Sequence, residues 1–255
     1  MDRSKKIILA ILVVNITLFA AWYIGWDFSS LLWGAEKPSY STLVKRFSVL
    51  LVAIIAAISG KDSLSKKDSV LLKASFIAIC CAETAFLFRS TYGGIVFFLV
   101  AQILLILRNS QGLKQKLATA DQTAKFKLII CGAAVFAIYI LIFAGVFYPI
   151  LKNSPLLIAF LVYGTVLSIS LWVGQANYIL SLFPKKNSIM VSIGMVCFFV
   201  SDILVGLVML IKSGVVYQIA NSFIWVLYIP AIMLIAFSGY KYSETEITSF
   251  QNTSL

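Results

Sequence analysis

The chain has 255 residues, 61% of them hydrophobic and only 12% charged, with a mean hydropathy of +0.98. That composition excludes an ordinary water-soluble domain. The formal net charge of +11 does not point to nucleic acid, because the Lys and Arg residues lie mostly in short loops, where they orient membrane proteins. There is no histidine, which removes the commonest metal ligand and the usual acid–base group at neutral pH.

A helix needs about 20 apolar residues to cross a bilayer core of about 30 Å. On that rule the chain reads as all-α, a single domain over residues 1–242 with eight transmembrane helices near 7–24, 41–59, 69–89, 91–107, 127–151, 155–182, 188–211 and 217–239. The first span follows a charged start, but no clean A-x-A site follows it. Trp22, Tyr23 and Trp26 look like an interfacial aromatic belt, so the span is read as retained. The second span must include Lys45 and Arg46 to reach across. The connections between spans three and four and between five and six are very short, giving helical hairpins. Pro155 and Pro184 fall at helix boundaries, where a missing N–H does little harm; Pro149 and Pro230 lie inside spans and are expected to kink them. The four cysteines (Cys80, Cys81, Cys131 and Cys197) lie in apolar stretches without zinc-site or disulfide spacing and read as small hydrophobes. Residues 243–255 are polar and read as a disordered tail, which holds the Asn252 sequon.

With the N-terminus inside, only Lys37, Lys45, Arg46, Arg89, Lys152 and Lys212 of the 21 basic residues fall on the outer side. That bias predicts both termini cytoplasmic. Basic loops of this kind fit a bacterial cytoplasmic membrane. Spans three and four resemble spans seven and eight around Ala82-Glu83 and Ser201-Asp202. A parallel 4+4 repeat about an axis along the membrane normal would allow that likeness.

Glu83 and Asp202 are the residues that point to chemistry. A charge at mid-bilayer costs about 2.5–3.5 kcal/mol on insertion scales, so intramembrane acids default to function or to a partner. Each lies 14 residues from the cytoplasmic start of its span, roughly 21 Å in at 1.5 Å per residue. Lys45 lies at a similar depth and is expected to meet Glu83, Asp202 or both. Arg46, about 100° round the helix, is expected to point elsewhere or snorkel outward. One lysine shared by two carboxylates leaves them unequal, the division of labour between an acid and a base. Gln102 lies lower by the same count, about 8 Å from its helix end, and Tyr228 at about 16 Å is within reach of the cluster. Gln175, Asn177 and Tyr178 read as packing or headgroup contacts, and Ser168 and Ser170 as serines bonding their own backbone. The plainest alternative is a buried ion pair that only fixes helix packing.

At these residues the chain resembles the YhhN family of eight-span proteins, whose characterised members are lysoplasmalogenases. Ser201-Asp202 within GMVCFFVSDILVGL matches the family's Ser-Asp pair, and Tyr228 within LYIPAIMLIAFS matches its last span. Lys45 echoes the family's Lys-Pro, with Arg46 in place of proline. Ala82-Glu83 stands where the family has Gly-Asp, and Gln102 within FFLVAQILLIL stands where it has histidine. Glutamine can hold a hydroxyl or amide but cannot transfer protons at neutral pH. The resemblance implies hydrolysis of the vinyl ether of a lysophospholipid, giving a fatty aldehyde and a glycerophospho-base. No cofactor and no metal is required. Glu83 and Asp202 are the expected catalytic pair, Lys45 holds the charge balance, and Tyr228 and Gln102 position substrate or water. The partners implied are the lysophospholipid and membrane lipids, with no nucleic acid. A proton-coupled transporter or lipid flippase, or a membrane scaffold without activity, are the readings from other classes.

Overall fold

In lipid the backbone must satisfy its own hydrogen bonds, and helices do so within one segment. The protein, a computed structural model described here over residues 1–242, is built in that way. The tail expected at 243–255 lies outside the described residues. Its helices are α1 (Arg3–Trp33), α2 (Ser41–Ala57), α3 (Lys66–Leu87), α4 (Thr91–Asn109), a short α5 (Leu113–Thr119), α6 (Gln122–Leu151), α7 (Leu156–Ile179), α8 (Lys185–Leu210) and α9 (Val215–Phe237). A 3₁₀ turn, Gly60–Asp62, links α2 to α3.

Seven of these helices, α1, α3, α4 and α6 to α9, are long and apolar enough to cross a membrane. Side chains such as Ile7, Leu18, Ile77, Ile129, Leu141 and Ile158 face outward and exposed, an apolar surface that only a bilayer covers. The protein is therefore a polytopic integral membrane protein. At 17 residues, α2 rises about 26 Å, slightly less than a bilayer core.

The helices form a closed circuit in which α1 packs on α2, α2 on α3, α3 on α4, α4 on α7, α7 on α8, α8 on α9 and α9 back on both α1 and α2. The sixth helix lies outside the circuit against α7. Small residues permit the close approaches. A Cβ on Gly174 of α7 would lie 2.7 Å from Met195 Cγ of α8, and one on Gly194 of α8 would lie 3.1 Å from the Ala231 carbonyl of α9.

Local chemistry sets the helix ends. The Ser65 hydroxyl accepts the Asp68 N–H at the start of α3, and Asp121 accepts the Ala124 N–H at the start of α6. Pro155 and Pro184 sit at the N-caps of α7 and α8, as their positions in the sequence predict. Just before Pro149, α6 passes through a π turn at Phe143–Phe147, a local widening of the kind found near functional sites. The last helix continues through Pro230 without interruption.

The first helix departs most from its expected span. Gly25 stays helical, and the helix ends only at Gly34, whose φ of 68° closes it with N–H bonds back to Ser29 and Ser30. The helix thus runs on past residue 24 and carries Asp27 into the interior. Tyr23 is not part of an aromatic belt: it is fully buried, edge-on to Trp225 of α9 at 5.8 Å.

At the end of the bundle where α4 finishes, a polar network joins five helices. Arg108, wholly buried, donates from Nε to Asp68 Oδ1 at 2.8 Å and from Nη1 to Ser238 Oγ at 2.9 Å. Asn177 donates to the Asn109 carbonyl, and Asn187 to the Ser238 and Tyr240 carbonyls. Beside it, Asp62 accepts from Lys5 at 2.5 Å and faces the N-terminal amine at 3.6 Å. That Lys5 bond holds the Asp62 carboxyl below its ordinary value.

Two expectations follow. Asp68→Ala strands a buried guanidinium, so it should lower stability by about 3–5 kcal/mol, read as thermal unfolding in detergent, whereas pairing Asp68→Leu with Arg108→Met should recover most of the loss. A lowered Asp62 value means its contribution is complete above the unfolded carboxylate range of about 3.9 and disappears as pH falls through the folded value. Hydrogen exchange of residues 1–6 should therefore be insensitive to this group between pH 8 and 5 and rise only in stronger acid.

Candidate functional site

Asp202 lies mid-way along α8, directly after Ser201, whose hydroxyl bonds back to the Phe198 carbonyl at 2.8 Å. The Tyr163 hydroxyl of α7 donates to Asp202 Oδ2. Gln102 of α4, wholly buried, lies beside both of them. The depth count had set Gln102 below the acids; it ignores helix tilt and the reach of the glutamine arm. Neither the amide oxygen nor the amide nitrogen of Gln102 is in a well-formed hydrogen bond.

Asp202 and Tyr163 form the polar edge of a narrow cavity of about 70 Å³. The other walls come from Phe86, Phe98, Ile142, Phe147, Phe160 and Met209. Phe147 belongs to the π turn of α6, so that turn borders the cavity. Both Asp202 and Tyr163 are partly accessible and line the cavity.

Glu83 is arranged differently. It pairs with Arg46, not Lys45. Glu83 and Arg46 line a separate groove with Phe19, Phe47, Cys80 and Leu87. Lys45 does not reach Glu83 or Asp202. Its ammonium lies 2.6 Å from Asp27 Oδ2, and Lys37 takes the other oxygen of Asp27 at 2.8 Å. The reason is rotational. Successive residues differ by about 100° on a helix, so α2 gives Lys45 to the side of α1 and Arg46 to α3. The expectation that Lys45 serves the two acids while Arg46 snorkels away is thus reversed. The Trp225 ring of α9 stands between the two arms, 5.3 Å from the Lys45 ammonium and 5.5 Å from the Arg46 guanidinium.

Tyr228 connects the two regions. Its ring packs edge-on against Trp225, Phe98 and Phe198 at 5.7, 6.2 and 5.6 Å. Its hydroxyl is near enough to feel both Asp202 and Arg46, yet is buried without a hydrogen-bond partner. A buried unpartnered hydroxyl costs about 1–3 kcal/mol, so that of Tyr228 marks a place built to receive a polar group.

Of the residues singled out in the sequence, Asp202, Gln102 and Tyr228 share one neighbourhood. Glu83 lines a different groove, and Lys45 balances Asp27. Three participants were missed. Tyr163 carries no sequence signal, being one aromatic in an apolar helix. Arg46 was set aside on its direction alone. Asp27 was detectable, since Lys37, Lys45 and Arg46 are three cations at one end of the bundle that require carboxylates. Ser168 bonds the Gly164 carbonyl of its own helix, and Gln175 interlocks with Ser192 of α8, as packing residues do.

A multi-helix membrane fold with an acid, a tyrosine and a glutamine at an apolar cavity defines an integral membrane protein with an intramembrane polar site. The YhhN family model matches residues 40–239, most of the chain, and the protein belongs to that family. Membership fits, at family level, a lysoplasmalogenase-like membrane hydrolase. Comparison with curated proteins and with solved structures gives no match.

The pairing is open to a double-mutant cycle. Arg46→Met and Glu83→Gln should show a coupling of about 1–3 kcal/mol in unfolding free energy, as contacting residues do. Lys45→Met and Glu83→Gln should add to within about 0.5 kcal/mol.

Proposed function

We propose that the protein hydrolyses the vinyl-ether bond of a lysoplasmalogen, or a closely related lysolipid, with Asp202 as the proton-transferring group. The observation that carries this is the setting of Asp202: an acid on the wall of an apolar cavity, bonded to a neutral tyrosine and next to a neutral glutamine, with no ion pair among the described residues.

Vinyl-ether cleavage starts with protonation of carbon. The carboxylic acid of Asp202 gives its proton to the outer alkene carbon, and the alkene π pair forms the new C–H bond. The carbon bearing the ether oxygen is left as an oxocarbenium ion, which the Asp202 carboxylate stabilises. Water adds to that carbon and returns a proton to Asp202. The resulting hemiacetal breaks its bond to the glycerol oxygen as its hydroxyl proton passes to that oxygen. The products are the aldehyde and the free glycerol hydroxyl; one water is consumed and the acid is regenerated.

Tyr163 holds the carboxyl in place, and the unpartnered Tyr228 hydroxyl and Gln102 amide orient the water or the ether oxygen. Gln102 stands where the resemblance has histidine, and in this scheme it needs only to hold, not to transfer, a proton. Glu83, neutralised by Arg46, is a positioning residue. A cavity of about 70 Å³ is far below the roughly 300–1,000 Å³ of sites that enclose a whole ligand. Only the reacting end of the lipid enters, between α6 and α8, and its chain stays among membrane lipids.

The proposal includes a single domain over residues 1–242 in which α2 also spans, giving eight crossings in a bacterial cytoplasmic membrane with both termini cytoplasmic. A transporter would require a polar path onward from Asp202, whereas the cavity walls are almost wholly apolar.

Purified protein should release fatty aldehyde from 1-alkenyl lysophosphatidylethanolamine. Asp202→Asn should reduce the rate by about 10²–10⁴-fold, the usual weight of a general acid, with the melting temperature little changed. Tyr163→Phe should lower kcat less, and Glu83→Gln should act mainly on stability. Folded wild-type protein that releases no aldehyde between pH 5 and 9 would sink the assignment.

A further inference from the structure

We propose that the pocket between the start of α2 and the start of α9 is a seat for a phosphate diester, the phosphate of a lysophospholipid. This deepens the hydrolase reading and rests on it only for the choice of lipid. The pocket, about 310 Å³, is lined among others by Lys37, Ser41, Thr42, Lys45, Arg46 and Asn221.

Charge comes first. Lys37 and Lys45 share the single carboxylate of Asp27, and Arg46 has Glu83. Three cations face two carboxylates, so the cluster keeps one positive charge. A phosphate diester carries one negative charge and closes that balance.

Donors come second. The N-cap of α2, Tyr40, makes no side-chain capping bond, and no acid sits in the first turn, so the positive end of the helix dipole faces the pocket uncompensated. Ser41, at that end, is 5% exposed and its hydroxyl has no hydrogen-bond partner. Arg46 Nε is likewise buried without a partner. The residues that line the pocket thus supply a hydroxyl, a guanidinium and ammonium groups, the donors a phosphate's oxygens require.

Position comes third. Trp225 lines the pocket and packs on Tyr228, which packs on Phe98, a wall of the Asp202 cavity. The phosphate seat and the proton donor are thus joined through one stack of aromatic rings. A lysolipid carries its ether oxygen on the first glycerol carbon and its phosphate on the third, and in this proposal those two groups take the two sites.

The test uses the full chain in detergent and native mass spectrometry, with 1-O-alkyl lysophosphatidylethanolamine as probe. That lipid lacks the vinyl bond, so it binds without turnover and a failure of hydrolysis is separable from a failure of binding. The same lipid without phosphate, 1-O-alkylglycerol, is the comparator. The phosphate-bearing lipid should bind at least about tenfold more tightly, the weight of one charge-assisted hydrogen bond. Lys37→Ala and Ser41→Ala should each remove most of that difference and leave the alkylglycerol unchanged, and Lys37→Arg should restore it. Lys37 lies in the loop before α2 with its side chain about one-third exposed, and Asp27 keeps Lys45 as its counter-charge when Lys37 is replaced. Equal affinity for the two lipids, or a preference unaffected by Lys37→Ala, would overturn the proposal. Displacement of the lipid by inorganic phosphate alone would overturn the lipid as source and make this a free-phosphate site.

Discussion

The structure depends on how each buried carboxylate is neutralised. An ion taken out of water costs several kcal/mol even after relaxation, and only a close counter-charge with good geometry repays it. Asp27 is held by Lys37 and Lys45, Asp68 by Arg108 and Glu83 by Arg46. Each of these pairs joins different helices or a helix to the loop that follows it, so each fixes a helix position as it neutralises a charge. Asp202 is the exception among them. Its partner is a tyrosine hydroxyl, and its surroundings are apolar.

That division has a spatial counterpart. Arg108 and Asp68 lock the end where α3 begins and α4 and α9 finish, while Asp27, Lys45, Arg46 and Glu83 lock the opposite end. Between the two locks, α4, α7, α8 and α9 meet around Gln102, Tyr163, Asp202 and Tyr228 with hydrogen-bonding capacity left over. Locked ends and an under-satisfied middle are what a preorganised site requires, because the polar groups are held in place by structure that does not itself contact the ligand.

Much of the fold was legible in the sequence, because apolar length alone identifies membrane helices. The expected boundaries of the later spans fall within a few residues of α3, α4 and α6 to α9. The errors are of one kind. Span one was ended at residue 24 because Trp22, Tyr23 and Trp26 suggested a headgroup boundary, yet nothing before Gly34 stops the helix. Stopping there removed Asp27 from consideration, and without Asp27 the only acids left for Lys45 were Glu83 and Asp202. One misplaced boundary thus propagated into the wrong ion pair. The site was legible as residue types, in Asp202, Gln102 and Tyr228, but not as contacts. Tyr163 shows why. A tyrosine in an apolar helix has the same appearance whether its hydroxyl reaches lipid headgroups or an acid on the next helix, and only packing separates the two.

In the proposed hydrolysis, Gln102, which stands where the resemblance has histidine, bears on the chemistry in the same physical terms. A proton donor in this fold needs a group that can exist neutral and protonated inside the bilayer. Histidine can accept and return protons at neutral pH, but a carboxylic acid with no cation beside it can do so as well. With Glu83 tied to Arg46, one acid is already committed to a charge pair, and Asp202 is left as the group able to change its protonation without breaking an ion pair. Gln102 then has a narrower task than a histidine would. It must donate and accept at fixed positions, and its amide, beside Asp202 and Tyr163, has the groups for both. The proposed site thus has one proton-active group, and vinyl-ether hydrolysis, in which one proton is given to carbon and another is recovered from water, needs only one.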